Sequence, residues 1–143
     1  MAAGYSSTPL AKKLGIKSGN KVRLINAPEH YFNLFTDMPE DIDIADNRQQ
    51  KDFIHFFTKD SKELNKVLPR LKNEIVANGI IWVSWPKKSA KTNSDVNENM
   101  IRDLALKNGL VDIKVCAVDE VWSGLKLVIP VKDRKDNRQA GVQ

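Results

Sequence analysis

The sequence is poor in the residues that build metal sites and covalent cross-links. It holds one cysteine, Cys116, and two histidines, His30 and His55, in 143 residues. A single thiol excludes an internal disulfide framework and a cysteine-rich zinc site. A reducing cytoplasm is the expected setting. Neither histidine has partners at ligand spacing, so no metal is expected. No apolar run approaches the ~20 residues that a membrane span needs. The opening MAAGYSSTPLAKK lacks the apolar core of a secretory signal. Glycine is also scarce, at seven residues, and no G-x-x-x-x-G-K-[ST] phosphate loop occurs. Ser84 stands in Trp82-Val83-Ser84-Trp85-Pro86, not in the G-x-S-x-G turn of a hydrolase nucleophile.

What is present is ordinary for a single globular domain: 41% hydrophobic and 29% charged residues, over a length that buries one core. The net charge of +5 is unevenly laid out. Residues 1–28 carry Lys12, Lys13, Lys17, Lys21 and Arg23 with no acid, whereas residues 29–60 carry eight acids against three bases. A basic N-terminal arm permits weak attraction to polyanions. A solvated surface accounts for the same count.

Residues 1–7 read as a flexible start. Thr8-Pro9 opens a short helix that Gly15 ends. Lys21–Asn26 is the first strand, and a second short helix from Pro28 would bury Tyr31, Phe32, Leu34 and Phe35. The acidic segment 37–50 is irregular, with Ile42 and Ile44 in an edge strand or anchoring a loop. Phe53–Phe57 is a buried strand. Asp60 or Ser61 caps the best amphipathic helix, whose Leu64, Val67, Leu68, Leu71, Ile75 and Val76 follow helical spacing up to Asn78-Gly79. Pro69 predicts a kink or a late start.

Ile80–Trp85 is a continuous apolar run between turn signals, as in a strand buried on both faces. Ser94 or Asp95 caps a third helix that ends at Asn108-Gly109. Val111–Val118 and Trp122–Val131 alternate and pair as an antiparallel hairpin, with Leu125, Leu127, Ile129 and Val131 on one face. Residues 132–143 read as a disordered polar tail, leaving 1–131 as one domain.

Strands alternating with helices predict an α/β, three-layer Rossmann-like sheet, mostly parallel, with a C-terminal antiparallel hairpin. Over residues 50–131 this order resembles the class I methyltransferase variant of that fold. The resemblance implies that the last strand inserts antiparallel between Ile80–Trp85 and Val111–Val118, and that S-adenosylmethionine is the cofactor to consider. Where that fold places a glycine-rich turn, this chain reads Asn26-Ala27-Pro28-Glu29. Asp43 or Asp46 is the acid on offer for ribose hydroxyls. The phrases TPLAKKLGIK (8–17), NAP (26–28), WVSWPKK (82–88) and KVCAVDEVWSGLKLV (114–128) are similar to those of an uncharacterised bacterial family of small cytoplasmic proteins. That family is a domain of unknown function, which implies a fold and no assigned activity.

Three clusters are candidate ligand sites. Trp85, Lys87 and Lys88 leave the C-terminal end of a central strand, where open α/β sheets bind ligands. An indole and two ammonium groups suit an anion or nucleotide, with Lys91 and Lys126 able to add charge. A strand terminator with solvated lysines is the plainer reading. Asp119, Glu120 and Trp122 surround the hairpin turn, as a site for an amine or as an acidic turn under a covering tryptophan. Asn26 and Pro28, with Glu29 and His30, follow the first strand at the cofactor position, or simply start a helix. His55 reads as a hydrogen-bonded core histidine and Cys116 as a buried, inert thiol. No catalytic residue emerges. The expectation is a non-catalytic module that binds a protein partner or a small anion at the C-terminal ends of its parallel strands. The alternatives are a divergent S-adenosylmethionine-dependent methyltransferase and a weak nucleic-acid binder acting through the basic arm and tail.

Overall fold

A computed structural model describes residues 8–44 and 50–134. The expected flexible start at 1–7, Asp46, and the tail from 135 onward lie outside the described residues. Six strands form one sheet: β1 (Lys21–Ile25), β2 (Asp43–Ile44), β3 (Lys51–Phe57), β4 (Ile75–Pro86), β5 (Val111–Ala117) and β6 (Trp122–Val128). Their order is β2-β1-β3-β4-β6-β5. The first four run parallel, and β6 lies antiparallel between β4 and β5. The expected insertion of the last strand is therefore observed.

The two faces are covered unequally. On one, α2 (Ser61–Leu71) and α3 (Glu98–Lys107) pack Leu64, Leu68, Leu71, Ile101 and Ala105 against Ile54, Phe56, Ile81, Val83, Trp85, Leu125 and Leu127. The other is covered by the five-residue helix α1 (Leu10–Leu14) and a 3-10 turn, Tyr31–Leu34. There Ala11, Leu14 and Ile16 meet Val22, Phe53 and Trp82. The Trp82 indole N–H donates to the Leu14 carbonyl at 2.7 Å, which seats α1 on the sheet.

Several expected boundaries move. The segment after Pro28 is a single 3-10 turn that buries Tyr31 and leaves Phe32 48% exposed. Ile42–Ile44 contributes a two-residue edge strand. Helix α2 keeps Pro69 but stops at Leu71, and a 3-10 turn at Lys72–Glu74 follows. Ile75 and Val76, expected in the helix, instead open β4. They are β-branched and suit a pleated strand, and Ile75 pairs with Lys51. Asn78-Gly79 is then no helix stop. It sits in a bulge, since Lys51 pairs with Ile75 and Phe53 with Ile80. A Cβ at Gly79 would lie 2.8 Å from Ile75 Cβ and 3.0 Å from the Val76 carbonyl oxygen, so the bulge closes only on glycine.

The cap of α3 also shifts. Asn97 takes it, with Oδ1 accepting the Met100 N–H at 2.9 Å. Asp95 is engaged elsewhere: its Oδ1 accepts the Ser61 N–H at 2.7 Å and its Oδ2 the Ser61 hydroxyl at 2.6 Å. Asp60 caps α2 as expected, accepting the Lys62 N–H at 2.8 Å. The last strand ends at Val128, because Pro130 turns the chain into a 3-10 turn at Val131–Asp133. Val131 is 76% exposed, off the expected apolar face. The Arg134 Nε–H donates to the Ile129 carbonyl at 2.7 Å, which carries the folded chain past residue 131.

Candidate functional site

The three candidate clusters converge on one rim, at the C-terminal ends of the parallel strands. The Lys87 N–H donates to the Val121 carbonyl at 2.8 Å, which joins the exit of β4 to the β5–β6 turn. His30 Nε2 approaches Asp119 Oδ2 at 3.3 Å and brings the segment after β1 to the same turn. Asp119 organises that turn, its Oδ1 accepting the N–H groups of Val121 at 2.8 Å and Trp122 at 2.7 Å. Glu120 projects from it, exposed.

The side chains do not form one pocket. Alternation along β4 sends Trp85 to the α2/α3 face with Ile81 and Val83, where it is 9% exposed and belongs to the core. Trp122 is on the other face, its ring edge-on to Phe57 at 5.0 Å. Lys126 is a register partner of Trp82 on that second face, away from the β4 exit. Lys87 and Lys88 stay at the rim. They line a cavity of about 320 Å³ together with Thr92, Ser94, Asp95 and Asn97, between the β4 exit and the N-terminus of α3. Its lining carries two ammonium groups and two hydroxyls, of which that of Thr92 donates to the Ala90 carbonyl at 3.5 Å, next to the positive end of a helix dipole. Its single carboxylate, Asp95, is turned to Ser61, whose hydrogen bonds hold it below the usual carboxylate range. Such a lining suits an anion.

The turn after β1 is tied to β3 and α2. Asn26 adopts a left-handed conformation, φ 58°. Its amide donates to the Phe57 carbonyl at 3.1 Å and to Glu63 at 2.9 Å. Glu63 also accepts the Thr58 hydroxyl at 2.7 Å. Pro28 begins the 3-10 turn, its carbonyl accepting the Tyr31 N–H at 3.0 Å. A nucleotide-type cofactor needs glycine here so that it can approach backbone N–H groups. This turn presents a tethered Asn side chain and a proline without a donor, so it lacks the glycine-lined approach that suits S-adenosylmethionine. Asp43 is in β2, at the outer edge of the sheet.

His55 is the hydrogen-bonded core histidine that the sequence predicts, and its partners, which the sequence does not name, make it the centre of a buried polar chain. Tyr31 Oη is 3.0 Å from His55 Nδ1, and His55 Nε2 is 2.7 Å from Ser84 Oγ. All three residues are at most 1% exposed. A neutral ring donates from one nitrogen and accepts at the other, and a hydroxyl on each side serves either role. Burial lowers the His55 pKa to about 3 and raises that of Tyr31. Phe57 stacks on the imidazole at 4.2 Å. No substrate reaches these groups, so the chain ties the 3-10 turn to β3 and β4. Only the polar Ser84 in an apolar strand hinted at it.

No group of three or more metal-ligating side chains occurs among the described residues. Nor is any described helix long and apolar enough to cross a membrane.

Strand order, the inserted antiparallel β6 and the position of the rim define a methyltransferase-like Rossmann fold. Solved structures agree. Magnesium protoporphyrin IX methyltransferase from Synechocystis PCC 6803, with S-adenosylmethionine bound, superposes with a TM-score of 0.54 at 12% identity, covering 83% of this chain and 74% of that one. A ribosomal protein L11 methylase from Lactobacillus delbrueckii subsp. bulgaricus gives 0.52 at 12% identity, covering 82% and 73%. A pericyclic reaction enzyme gives 0.53 at 13% identity, and the chain covers only 39% of it. These similarities establish the fold alone. No curated protein matches the chain in sequence. Residues 11–131 match the family described as protein of unknown function (DUF3052), and the chain belongs to that family.

Proposed function

We propose that the protein is a non-catalytic Rossmann-like module that binds a small anion, free or carried on a partner protein, at the C-terminal end of β4. The cavity of about 320 Å³ lined by Lys87, Lys88, Thr92 and Ser94 carries this reading. It lies where open α/β sheets bind ligands and offers charge and hydroxyl donors without a free general base. Calorimetric titration with ATP and with inorganic phosphate tests it. Lys88 is exposed, so Lys88→Glu is expected to leave the melting temperature unchanged and to weaken anion binding at least tenfold. An unchanged affinity would remove the site. The divergent-methyltransferase reading draws on the fold, and the lack of glycine in the Asn26-Ala27-Pro28-Glu29 turn speaks against it.

A further inference from the structure

The basic N-terminal stretch is not a free arm. Helix α1 folds onto the sheet through Trp82 and Leu14 and carries Lys13 to the end of β5, and Lys17 follows the helix. The Lys13 ammonium donates to the Ala117 carbonyl at 3.1 Å, at the end of β5. Lys114 on β5 and Lys126 on β6 are register partners, and Lys126 shares its face with Trp82. Two like charges directly opposite in a sheet repel.

Lys17, exposed after α1, is the fourth member of this group. Burial, then the charges of Lys114 and Lys17, hold the Lys126 pKa below its ordinary value. Lys13 and Lys114 flank the half-buried Cys116 of the same face, whose thiol pKa burial raises against their pull. Among the described residues no salt bridge reaches Lys13, Lys17, Lys114 or Lys126. Of the acids of this hairpin, Asp112 pairs with Arg102 and Asp119 with His30, and Glu120 projects from the turn. The fold thus assembles four cations from three separate segments, and among the described residues none of them is in a salt bridge.

We propose that this lysine face, Lys13, Lys17, Lys114 and Lys126, docks the phosphate backbone of a nucleic acid. The chemistry favours a polymer of phosphates over other anions. A small ligand is held in a concave pocket; Lys13 lines one of about 220 Å³ together with Asp119, whereas Lys114 and Lys126 are on the outer surface of the strand pair and Lys17 is exposed beside them. A protein partner needs an apolar centre to its interface. The exposed Val115 of β5 is in register with Leu125, which packs on the opposite face, and the exposed Ile113, at the bulge beside Lys114, is a single apolar side chain and not a centre. Trp82 beneath the lysines is fully buried, so no ring is available for stacking on bases. Contact is then electrostatic and independent of sequence. This face is separate from the Lys87–Lys88 cavity.

The test is fluorescence anisotropy of the full chain with a labelled oligothymidylate of about 20 nucleotides, from low to physiological salt. Four phosphate contacts to a single strand predict a slope of log K against log salt near about −3. Lys17→Glu with Lys114→Glu, both exposed positions, is expected to weaken binding at least tenfold and to flatten that slope. A charge-matched pair on α2, Lys62→Glu with Lys66→Glu, is expected to cost less than about twofold, since it lies across the sheet. Lys88→Glu is expected to leave oligonucleotide binding intact. Absence of binding at low salt overturns the proposal. So does equal loss in the two double variants, which would mean that net charge alone acts. Tighter binding of polyglutamate than of the oligonucleotide overturns it in favour of an acidic protein partner.

Discussion

Lowering the pH from 6.5 towards 3 is expected to destabilise this fold by up to about 1.4 kcal/mol per pH unit through one residue, His55. In the unfolded chain the imidazole takes up a proton near 6.5, and in the folded protein only near about 3. Between those values the unfolded state holds more protons than the native state. Stability from this group is therefore complete above pH 6.5 and is lost as pH falls through the window. The cause is burial: protonation would place a charge between Tyr31, Phe57 and Ser84 with no carboxylate in hydrogen-bond contact. Urea titrations at a series of pH values would read the slope. His55→Gln is expected to flatten it, leaving only what the carboxylates contribute. Ring resonances of His55 should stay those of neutral imidazole at pH 5. A stability indifferent to pH over the window, or a ring that titrates near 6.5, would show that the Tyr31–His55–Ser84 chain is not closed to water.

Trp82→Ala is expected to cost about 3–5 kcal/mol, the range for removing a large aromatic from a core. That is a large part of the ~5–15 kcal/mol that holds a typical domain together. Trp82 is fully buried and packs with Leu14, Ile16, Val22 and Phe53. Gly124 is matched to it, since a Cβ there would lie 3.0 Å from the indole Cε3. The substitution also removes the donor to Leu14 O and with it the tether of α1. Trp82→Phe separates the two effects: it keeps most of the apolar area and loses the hydrogen bond, for about 1–2 kcal/mol. Guanidinium denaturation measures both. A loss under about 1 kcal/mol for the alanine variant would mean that α1 does not hold the second face.

The parts of the fold that could be read from the sequence are those whose pattern is local. The apolar runs of β3 and β4 and the alternation of β5 and β6 need no knowledge of the rest of the chain. The end of α2 was different. Ile75 and Val76 satisfy helical spacing as well as a strand, and only the pairing of Ile75 with Lys51 decides between them. The cap of α3 failed for a similar reason: Asp95 is a good capping residue, but Ser61, 34 positions away, holds it. At the site, the rim was legible because the exits of successive strands converge in any sheet of this class. The faces were not. Trp85 belongs to the core with Ile81, and Lys126 lies on the other face with Trp82, once β6 is set in register against β4. The lysine face depends on the same register, together with the docking of α1. The partners of His55 come from positions 24 and 29 residues away, beyond any spacing rule.

The central proposal is that this protein binds its ligand at the exit of β4 and not at the turn after β1. Backbone amide chemical shifts followed while the protein is titrated in turn with ATP, inorganic phosphate and S-adenosylmethionine test it most directly. The account predicts that ATP or phosphate moves the amides of Lys87, Lys88 and Thr92 to Asn97, and that S-adenosylmethionine leaves Asn26, Ala27 and Glu29 where they are. Saturable shifts at Asn26, Ala27 and Glu29 with S-adenosylmethionine, and none at Lys87 and Lys88 with either phosphate ligand, would contradict it.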